Sequence, residues 1–343
     1  AFGETPQVKT FQLPKLTNQD VLVKVKCSPI NPADIHLVGG HYGTTNQRLN
    51  QTFPMQCGME GSGTVMETAH SSLGDLVGKR VSFLKSSPEV GPWGEHCVVD
   101  KNMLHVVPDT ISDEVAACLH INPLTVAFMT FAAKKMGTNA IVQDAAASQL
   151  GKMLQKACNI VGIKTINIVR RDEQIETLRT LGAGDHFLNS EDPEFPRQLA
   201  SLSKELKPRL ALDAVGSTVL RHMVELMPED SEIWIYGNLS NQPIRNVKGS
   251  YLLFENKTLK GFWLSTFMRL RENQELVEQS RQFVSQYVED VFSTEIQAKY
   301  EYEKFQEALG RYKSNMSKGK ILLTSASNIQ FEFSLVHPCP DQM

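Results

Sequence analysis

Residues 141–162, IVQDAAASQLGKMLQKACNIVG, have the pattern of a strand, a tight turn and a helix. A short apolar run opens the segment, and apolar side chains recur at helical spacing from Ser148 onward. This order is typical of a dinucleotide-binding βαβ unit, in which the helix N-terminus directs free N–H groups and a partial positive charge at the phosphates. The sequence therefore predicts a phosphate-binding turn at this point of the chain.

The turn itself, AAASQLG, lacks the usual run of glycines. Ala146, Ser148 and Gly151 occupy the three small-residue positions of a G-x-G-x-x-G frame. Ala and Ser are small enough for the backbone to approach a pyrophosphate, and Gly151 lets the helix pack on the strand. Gln149 is bulky, and its side chain either crowds the phosphate or donates a hydrogen bond to it. We predict that these four residues bind a dinucleotide; the alternative is a turn that only connects two elements.

Two arginines, Arg170 and Arg171, end the second strand of this unit. An NAD site usually has an Asp or Glu here, roughly 20 residues past the glycine turn, to bind the ribose 2′-hydroxyl. Guanidinium groups instead suit a 2′-phosphate, which they grip bidentately. The pair therefore favours NADPH as the cofactor. The alternative is a solvated pair that opens the next helix, with Asp172 as its N-cap.

The bulk properties of the chain exclude several classes of protein. Its 343 residues are enough for two domains, and its formal net charge of −3 argues against a nucleic-acid-binding protein with a basic face. No run of about 18 apolar residues is present to cross a membrane as a helix. The six cysteines are scattered without a C-x-x-C pair, which excludes a four-cysteine zinc site and favours reduced thiols.

Two kinds of pattern divide the chain. Residues 1–120 carry short strand patterns separated by turn signals, which predict a compact β domain. From 138 to 262, strands alternate with helices in the manner of a doubly wound parallel sheet. Two helices follow, at 269–287 and 300–313, and then the short strand GKILLT. The tail 325–343 has no clear period, and we expect it to be an extension.

Several stretches resemble the medium-chain dehydrogenase/reductase superfamily, in particular its zinc-free branch of quinone oxidoreductases and mitochondrial trans-2-enoyl thioester reductases. They are SPINPADIHLVGGHYG (28–43), CGMEGSGTV (57–65), INPLTVAFM (121–129), LDAVGS, IYGNLS and KGFWLS. The resemblance implies an α/β fold, in which a GroES-like β domain is interrupted by a Rossmann domain with a doubly wound parallel sheet. We expect the β domain at 1–122, the Rossmann domain at 123–268, and a C-terminal segment that completes the first domain at 269–343. The first strand of the family fold is expected before Ala1.

The zinc ligands of metal-dependent relatives are replaced in this chain. Those relatives use a Cys, the His of a G-H-E motif and a third ligand. The G-H-E position here reads Gly58-Met59-Glu60, and residues 30–34 offer no thiolate. A methionine thioether cannot replace imidazole as a ligand of Zn²⁺. We therefore predict no catalytic metal, and Cys57 beside the motif is expected to be a small buried residue.

Without zinc, the chemistry that the resemblance implies is hydride transfer from NADPH to a quinone, an enone or an enoyl thioester. Reduction of an enone or a thioester also needs a proton at the α-carbon and stabilisation of the developing enolate. Tyr42 in G-x-Y-G matches the tyrosine that the enoyl reductases use, and it is the predicted proton donor. The alternative is an aromatic side chain that caps a loop.

The resemblance assigns further residues to the site. Asn31 is a catalytic candidate, and it and Asp34 either fix their loop or contact the nicotinamide; for Asp34 a turn residue is the alternative. Trp263 resembles the pocket tryptophan of the enoyl reductases, with packing at a sheet edge as the alternative. The residues expected to reach the cofactor are Thr125, Tyr236, Phe262 and Lys320. Arg269 and Arg271 either bind the phosphates of an acyl-CoA or lie on the exposed face of a helix.

Two functions from different classes stay open. The first is an NADPH-dependent, zinc-independent reductase with a small-molecule substrate. The second is a catalytically retired family member that serves as a structural or accessory subunit of a larger assembly, as the altered turn with Gln149 and the long tail suggest. Family members pair through the last strand of the Rossmann sheet, so we expect a homodimer through SYLLFENKTLKGFWL (250–264). A mitochondrial location is favoured over a cytoplasmic one.

Overall fold

The first domain is built on a seven-stranded sheet. The computed structural model describes residues 7–10, 12–44, 55–87, 89–182, 184–216 and 218–325. The strands are β1 (Asp20–Pro29), β2 (Glu60–Thr68), β3 (Arg80–Leu84), β4 (His96–Asp100), β5 (Leu104–Val106), β12 (Ile296–Glu301) and β13 (Lys320–Thr324). Their order is β12-β13-β1-β2-β3-β5, and β4 pairs with β1. Alternate residues of β1, namely Val21, Val23 and Val25, are fully buried, as expected for a strand with one face on a core.

Six short parallel strands form the sheet of the second domain. They are β6 (Ala140–Gln143), β7 (Lys164–Val169), β8 (His186–Asn189), β9 (Leu210–Asp213), β10 (Glu232–Ile235) and β11 (Thr258–Gly261). Their order is β11-β10-β9-β6-β7-β8, with every neighbouring pair parallel. The strand order reverses between β6 and β9, and ligands of such sheets bind at the carboxyl ends of the strands at this point. The predicted fold class, a β domain with a doubly wound parallel sheet, is confirmed.

Helices surround the parallel sheet, and apolar cores form on both of its faces. Ile141 and Leu212 belong to one core, whereas their neighbours Val142 and Ala211 belong to the other. The α-helices described in the two domains together are α1 (Pro32–Val38), α2 (Asp113–Ala116), α3 (Ile121–Lys135), α4 (Gln149–Ile160), α5 (Asp172–Arg179), α6 (Phe195–Leu206), α7 (Thr218–Leu226), α8 (Gly249–Phe254), α9 (Leu264–Arg269), α10 (Gln274–Gln286) and α11 (Phe305–Ser314). Burial on both faces explains why β6 and β9 are apolar without alternation.

The end of the chain contributes to both domains. Phe283 of α10 is buried in the same core as Phe128 of α3, beside the parallel sheet. By contrast, β13 pairs antiparallel with β1 in the first domain, where Cys27 lies opposite Thr324. The predicted domain boundaries stay predictions, and the tail 326–343 lies outside the described residues.

Two further expectations concern membranes and thiols. In the part of the chain that the structure describes, no helix combines the length and the apolar character needed to span a lipid bilayer. The five cysteines described, all but Cys339, are unpaired. Cys57 is half-buried, and burial raises the pKa of its thiol to about 11. This thiol is therefore protonated at neutral pH.

Candidate active site

A cavity of about 1540 Å³ lies at the carboxyl ends of the parallel strands, and residues of both domains line it. Its volume is enough for a dinucleotide together with a substrate. The predicted site residues on its wall are Asn31, Tyr42, Thr125, Ser148, Gln149, Arg170, Arg171, Tyr236, Phe262, Trp263 and Lys320. The structure thus brings together eleven of the thirteen residues that the sequence placed at the site.

The two remaining predicted residues, Ala146 and Gly151, lie behind the turn. Ala146 is fully buried, and its neighbours Ala145 and Ala147 line the cavity instead. A Cβ at Gly151 would lie 2.5 Å from the carbonyl oxygen of Ala146, so glycine is required for the helix to pack this closely. The G-x-G-x-x-G frame therefore fits the turn, but Ala145 and Ala147, on either side of Ala146, are the alanines exposed to the cavity.

Local geometry of the turn suits a bound phosphate group. Ala145 has a φ of 45°, in the left-handed region, which produces the tight bend after β6. The Oγ of Ser148 accepts the backbone N–H of Gly151 at 3.0 Å and so caps α4. Helix α4 starts at the edge of the cavity, where its first N–H groups and its dipole favour an anion. Sequence reasoning missed the positive φ because it occurs at an alanine.

Both ends of the Gln149 side-chain amide make hydrogen bonds. Its Oε1 accepts a hydrogen bond from Oγ1 of Thr294 at 3.1 Å, and its Nε2 donates to the carbonyl oxygen of Ser317 at 3.4 Å. Only 7% of the residue is exposed. Both partners belong to loops of the first domain, before β12 and before β13. The role of this side chain toward a phosphate, as an obstacle or as a donor, stays a prediction, and the structure adds these two contacts with the first domain.

Arg170 and Arg171 are exposed at the carboxyl end of β7 and line the cavity. The backbone N–H of Arg170 donates to the side chain of Gln174 at 3.1 Å, which fixes the start of α5. The Nε of Arg171 lies 3.9 Å from an oxygen of Glu173, a distance at which an exposed ion pair contributes little. The two guanidinium groups therefore present positive charge to a ligand that enters from the α4 side.

Tyr42 and Trp263 meet across the two domains. The indole Nε1 of Trp263 donates to the hydroxyl oxygen of Tyr42 at 2.9 Å, and the rings pack edge to face with centroids 5.7 Å apart. Burial raises the pKa of Tyr42, although hydrogen bonds from Trp263 and Ser265 oppose that shift. The hydroxyl is therefore protonated at neutral pH, and because its oxygen accepts from Trp263, its proton is available to another acceptor.

A buried polar network holds Asn31, which also lines the cavity. Its Nδ2 donates to Oε1 of Glu60 at 3.0 Å, and the Nζ of Lys320 donates to its Oδ1. The second oxygen of Glu60 accepts the backbone N–H groups of His120 and Ile121 at 3.1 and 2.9 Å. These bonds fix the Asn31 amide between β2, β13 and the start of α3. Sequence reasoning missed Glu60, which it treated only as part of a lost zinc motif.

The same network shows that the side chains at the Gly58-Met59-Glu60 motif do not fit as ligands of a zinc ion. Both carboxylate oxygens of Glu60 already accept hydrogen bonds from Asn31, His120 and Ile121. Met59 borders the cavity with a thioether, which is a poor ligand for zinc. Among the residues that the structure describes, no three His, Cys, Asp or Glu side chains are grouped to hold a metal.

Three other predicted residues border the cavity in different ways. Thr125 is nearly buried on α3, and Phe262 stacks on Trp234 with centroids 5.4 Å apart, mainly as part of the core. The hydroxyl of Tyr236 is buried and has no hydrogen-bond partner among the described residues. A buried hydroxyl without a partner is costly. Together with the capped helix and the two arginines, this hydroxyl fits a site built for a dinucleotide.

Asp34 is fully buried on α1 next to this network. Its Oδ2 accepts the backbone N–H of Asn31 at 2.7 Å, whereas its Oδ1 has no partner within the described residues. Burial raises the pKa of Asp34 to about 7; the Asn31 N–H opposes the shift and Glu60 adds to it. The carboxyl group therefore changes its charge near neutral pH.

The raised pKa of Asp34 predicts a loss of stability as the pH rises. The folded protein holds this proton more tightly than the unfolded chain, whose pKa is 3.8. The contribution is complete below that value and is lost as the pH rises through about 7. Relative to Asp34→Asn, which does not titrate, we expect the free energy of unfolding to fall by about 2 kcal/mol between pH 5 and pH 7. Urea unfolding of both proteins measures the difference, and a difference that does not change with pH would contradict the assignment.

Two family models match the chain. The model for the alcohol dehydrogenase GroES-like domain matches residues 17–109, and the model for a zinc-binding dehydrogenase matches residues 150–279. The mitochondrial enoyl-[acyl-carrier-protein] reductase of Dictyostelium discoideum is 31% identical over 271 residues, which cover 76% of this chain and 74% of the relative. The protein of the same name from Rattus norvegicus is 30% identical over 278 residues, with 79% and 72% covered.

Solved structures show the same architecture. A putative NADPH:quinone reductase from Mesorhizobium loti superposes with a TM-score of 0.80 at 30% identity, over 91% of this chain and 88% of that one. The complex of Etr1p with NADP and crotonyl-CoA has a TM-score of 0.74 at 21% identity, over 92% and 93% of the two chains. At that identity the second likeness concerns the fold alone.

Proposed function

The chain belongs to the zinc-free branch of the medium-chain dehydrogenase/reductase superfamily, and on that basis we propose that it is an NADPH-dependent reductase of a quinone, enone or enoyl thioester. The observation that carries the proposal is the contact between Tyr42 and Trp263, which lies in the same cavity as the capped turn and the arginine pair. A proton donor and a dinucleotide site that share one cavity are the two parts that this chemistry requires.

The proposed cofactor site follows the edge of the parallel sheet. The N-terminus of α4, capped by Ser148, binds the pyrophosphate, and Ala145 and Ala147 leave room for it. Arg170 and Arg171 bind the 2′-phosphate as charge-assisted, bidentate donors. The buried hydroxyl of Tyr236 faces the same cavity and supplies a further polar group.

NADPH, when bound, supplies the hydride for the reaction. Tyr42 holds the proton that the α-carbon or the enolate oxygen needs, because its raised pKa keeps the hydroxyl protonated. Trp263 orients that hydroxyl through its indole N–H. Lys320 and Glu60 fix the amide of Asn31, so that it presents an unchanging polar surface to the ligands.

An enoyl thioester is the favoured substrate, and mitochondria are the favoured location. Relatives about 30% identical are named mitochondrial enoyl-[acyl-carrier-protein] reductases, which supports both proposals. Arg269 lines the cavity and is held by a hydrogen bond from its Nε to the carbonyl oxygen of Ser265 at 2.9 Å. Arg271 is not among the lining residues, so Arg269 is the better candidate to bind a phosphate of the thioester carrier.

The alternative of a retired accessory subunit loses its main support. It rested on Gln149 as an obstacle in the phosphate turn, whereas that side chain bonds to Thr294 and Ser317. The second support, the tail, lies outside the described residues. We therefore favour a working enzyme.

Calorimetry with NADPH and NADH, followed by turnover assays, tests the proposal. We expect micromolar binding of NADPH, weaker binding of NADH, and consumption of NADPH with crotonyl-CoA faster than with a small quinone. Binding of neither dinucleotide would contradict the proposal and support the accessory subunit. Binding with turnover of the quinone alone would keep the reductase and replace the substrate.

The edge of the parallel sheet is the proposed dimer interface. Within the described part of the chain, strand β11 pairs on one side only, and on the preceding helix α8 Leu253 and Phe254 are 74% and 79% exposed. An unpaired strand edge beside exposed apolar side chains favours contact with a second copy of the chain. Sedimentation velocity measures this directly, and a monomer at all concentrations would contradict it.

A further inference from the structure

Gln149 connects the two domains at the rim of the cavity. It is the first residue of α4, directly after the Ser148 cap, and therefore part of the dinucleotide turn. Its amide group is used at both ends, because Oε1 accepts from Thr294 and Nε2 donates to the Ser317 carbonyl. Thr294 is 8% exposed. The bond to Thr294 is buried, whereas the longer bond to Ser317 is only partly buried, so the first contributes more than the same bond would at a surface.

Other residues on the same face of α4 extend the contact. Lys152, one turn further along, lies 3.3 Å from a carboxylate oxygen of Glu295. Lys156, another turn along, donates to the carbonyl oxygen of Asp290 at 3.1 Å. The carboxylate of Glu295 is largely exposed, so that ion pair contributes little on its own. The buried amide of Gln149 is therefore the strongest element of this contact.

The contact continues through backbone hydrogen bonds to the buried polar network around Asn31 in the first domain. The residue after Thr294 is Glu295, whose carbonyl oxygen accepts the backbone N–H of Lys320 at 2.7 Å. A Cβ at Gly319 would lie 2.7 Å from that same carbonyl oxygen, so the two loops are packed without spare room. The side chain of Lys320 then bonds to Asn31. A displacement of the loops at Gln149 is thereby transmitted to the Asn31 amide.

We infer that Gln149 is a positioning residue that ties the dinucleotide turn to the loops before β12 and β13 and so holds the two walls of the cavity at a fixed separation. The inference rests on the proposed function, because the walls are taken to be those of an NADPH site. Gln149 is at a variable position of the G-x-G-x-x-G frame, so the motif itself does not specify the side chain that makes the tie. The bulky side chain of Gln149 then acts as a contact between the domains, a role that the local motif does not indicate.

Without the Gln149 contacts the two walls of the cavity are free to separate, so a smaller fraction of the protein has the wall separation that binds NADPH. In Gln149→Ala we expect the dissociation constant for NADPH to rise about fivefold to tenfold, since a smaller fraction of the protein is ready to bind. Thr294→Val removes the donor to Oε1 and should give part of that effect. The double variant should be no weaker than Gln149→Ala alone, because both changes break the same contact. Asn159→Ala, at the exposed end of α4, is the matched control and should bind as the wild type does.

Hydrogen exchange of the protein without ligand provides a readout that does not depend on NADPH. In Gln149→Ala we expect faster exchange in α1 and in β13, neither of which contains a partner of the Gln149 side chain. A residue with only a local structural role would change exchange around Gln149 and Thr294 alone. That outcome, or an unchanged affinity in a wild-type protein that binds NADPH, would overturn the inference. Failure of the wild type to bind NADPH would instead contradict the proposed function, and exchange would still decide whether the tie exists.

Discussion

Tyr42→Phe is expected to lower kcat for crotonyl-CoA by a factor of about 10² to 10⁴, the usual contribution of a positioned proton donor. The substitution removes the hydroxyl group and keeps the aromatic ring, whose edge-to-face packing on Trp263 is therefore preserved. Because Tyr42 acts on the substrate rather than on the dinucleotide turn, the dissociation constant for NADPH should stay within about twofold. Steady-state kinetics together with calorimetry separate the two effects.

The pH profile of the wild type gives a second test of Tyr42. Burial raises the pKa of this hydroxyl above its ordinary value of 10, so its donor form persists across neutral and mildly basic pH. The turnover number should therefore not fall on the alkaline side below about pH 10 on account of this group.

Tyr287→Phe is the matched control for the Tyr42→Phe kinetics, since Tyr287 packs on Phe283 and does not line the cavity. A loss of less than about threefold in Tyr42→Phe would assign the proton to another donor.

The double variant Arg170→Ser, Arg171→Ser is expected to raise the dissociation constant for NADPH about 100-fold. Hydrogen bonds to charged groups contribute about 1.5 to 3 kcal/mol each, so two of them to one 2′-phosphate would give about 3 to 6 kcal/mol. Both arginines are exposed to solvent, which screens the charges and places the expected effect at about the lower end of that range. NADH lacks this phosphate, so its affinity should change little. Calorimetry with both dinucleotides measures the ratio, and the wild-type preference for NADPH should weaken as salt is added.

A surface arginine of the same domain provides the control for the pair. Arg197 on α6 is exposed, pairs with Glu194 at 2.5 Å and does not line the cavity. Arg197→Ser should bind both dinucleotides as the wild type does. If the double variant lost NADH and NADPH affinity equally, the arginines would serve the general charge of the site and not the 2′-phosphate.

The sequence predicted those parts of the site that depend on neighbouring residues. The turn, the start of α4 at Ser148 and the arginines at the end of β7 follow from periodicity and spacing within one βαβ unit. Tyr42 and Trp263 were each identified by the family resemblance, but their mutual contact was not, because 221 positions of sequence separate them. Patterns within a short segment contain no information on contacts between residues so far apart in the sequence.

Gln149 and Glu60 show where reasoning from local motifs stops. Gln149 was interpreted only against a phosphate, since its actual partners lie 145 and 168 positions away in the chain. Glu60 follows a methionine in a degenerate zinc motif, yet its burial and its bonds to Asn31, His120 and Ile121 make it the centre of a network. A buried acid in an apolar stretch is costly without partners, and that cost is the signal that could have identified it.

The pairing of β13 with β1 has a consequence for how the chain is made. Residues 27–29 must wait for residues 322–324 before the last hydrogen bonds of the first sheet can form. During synthesis the intervening residues 30–321 leave the ribosome before that pairing is possible, whereas each βαβ unit of the parallel sheet closes over a short stretch. The first domain therefore matures only once residues 322–324 have left the ribosome, and until then it exposes an unpaired strand edge to chaperones and to aggregation.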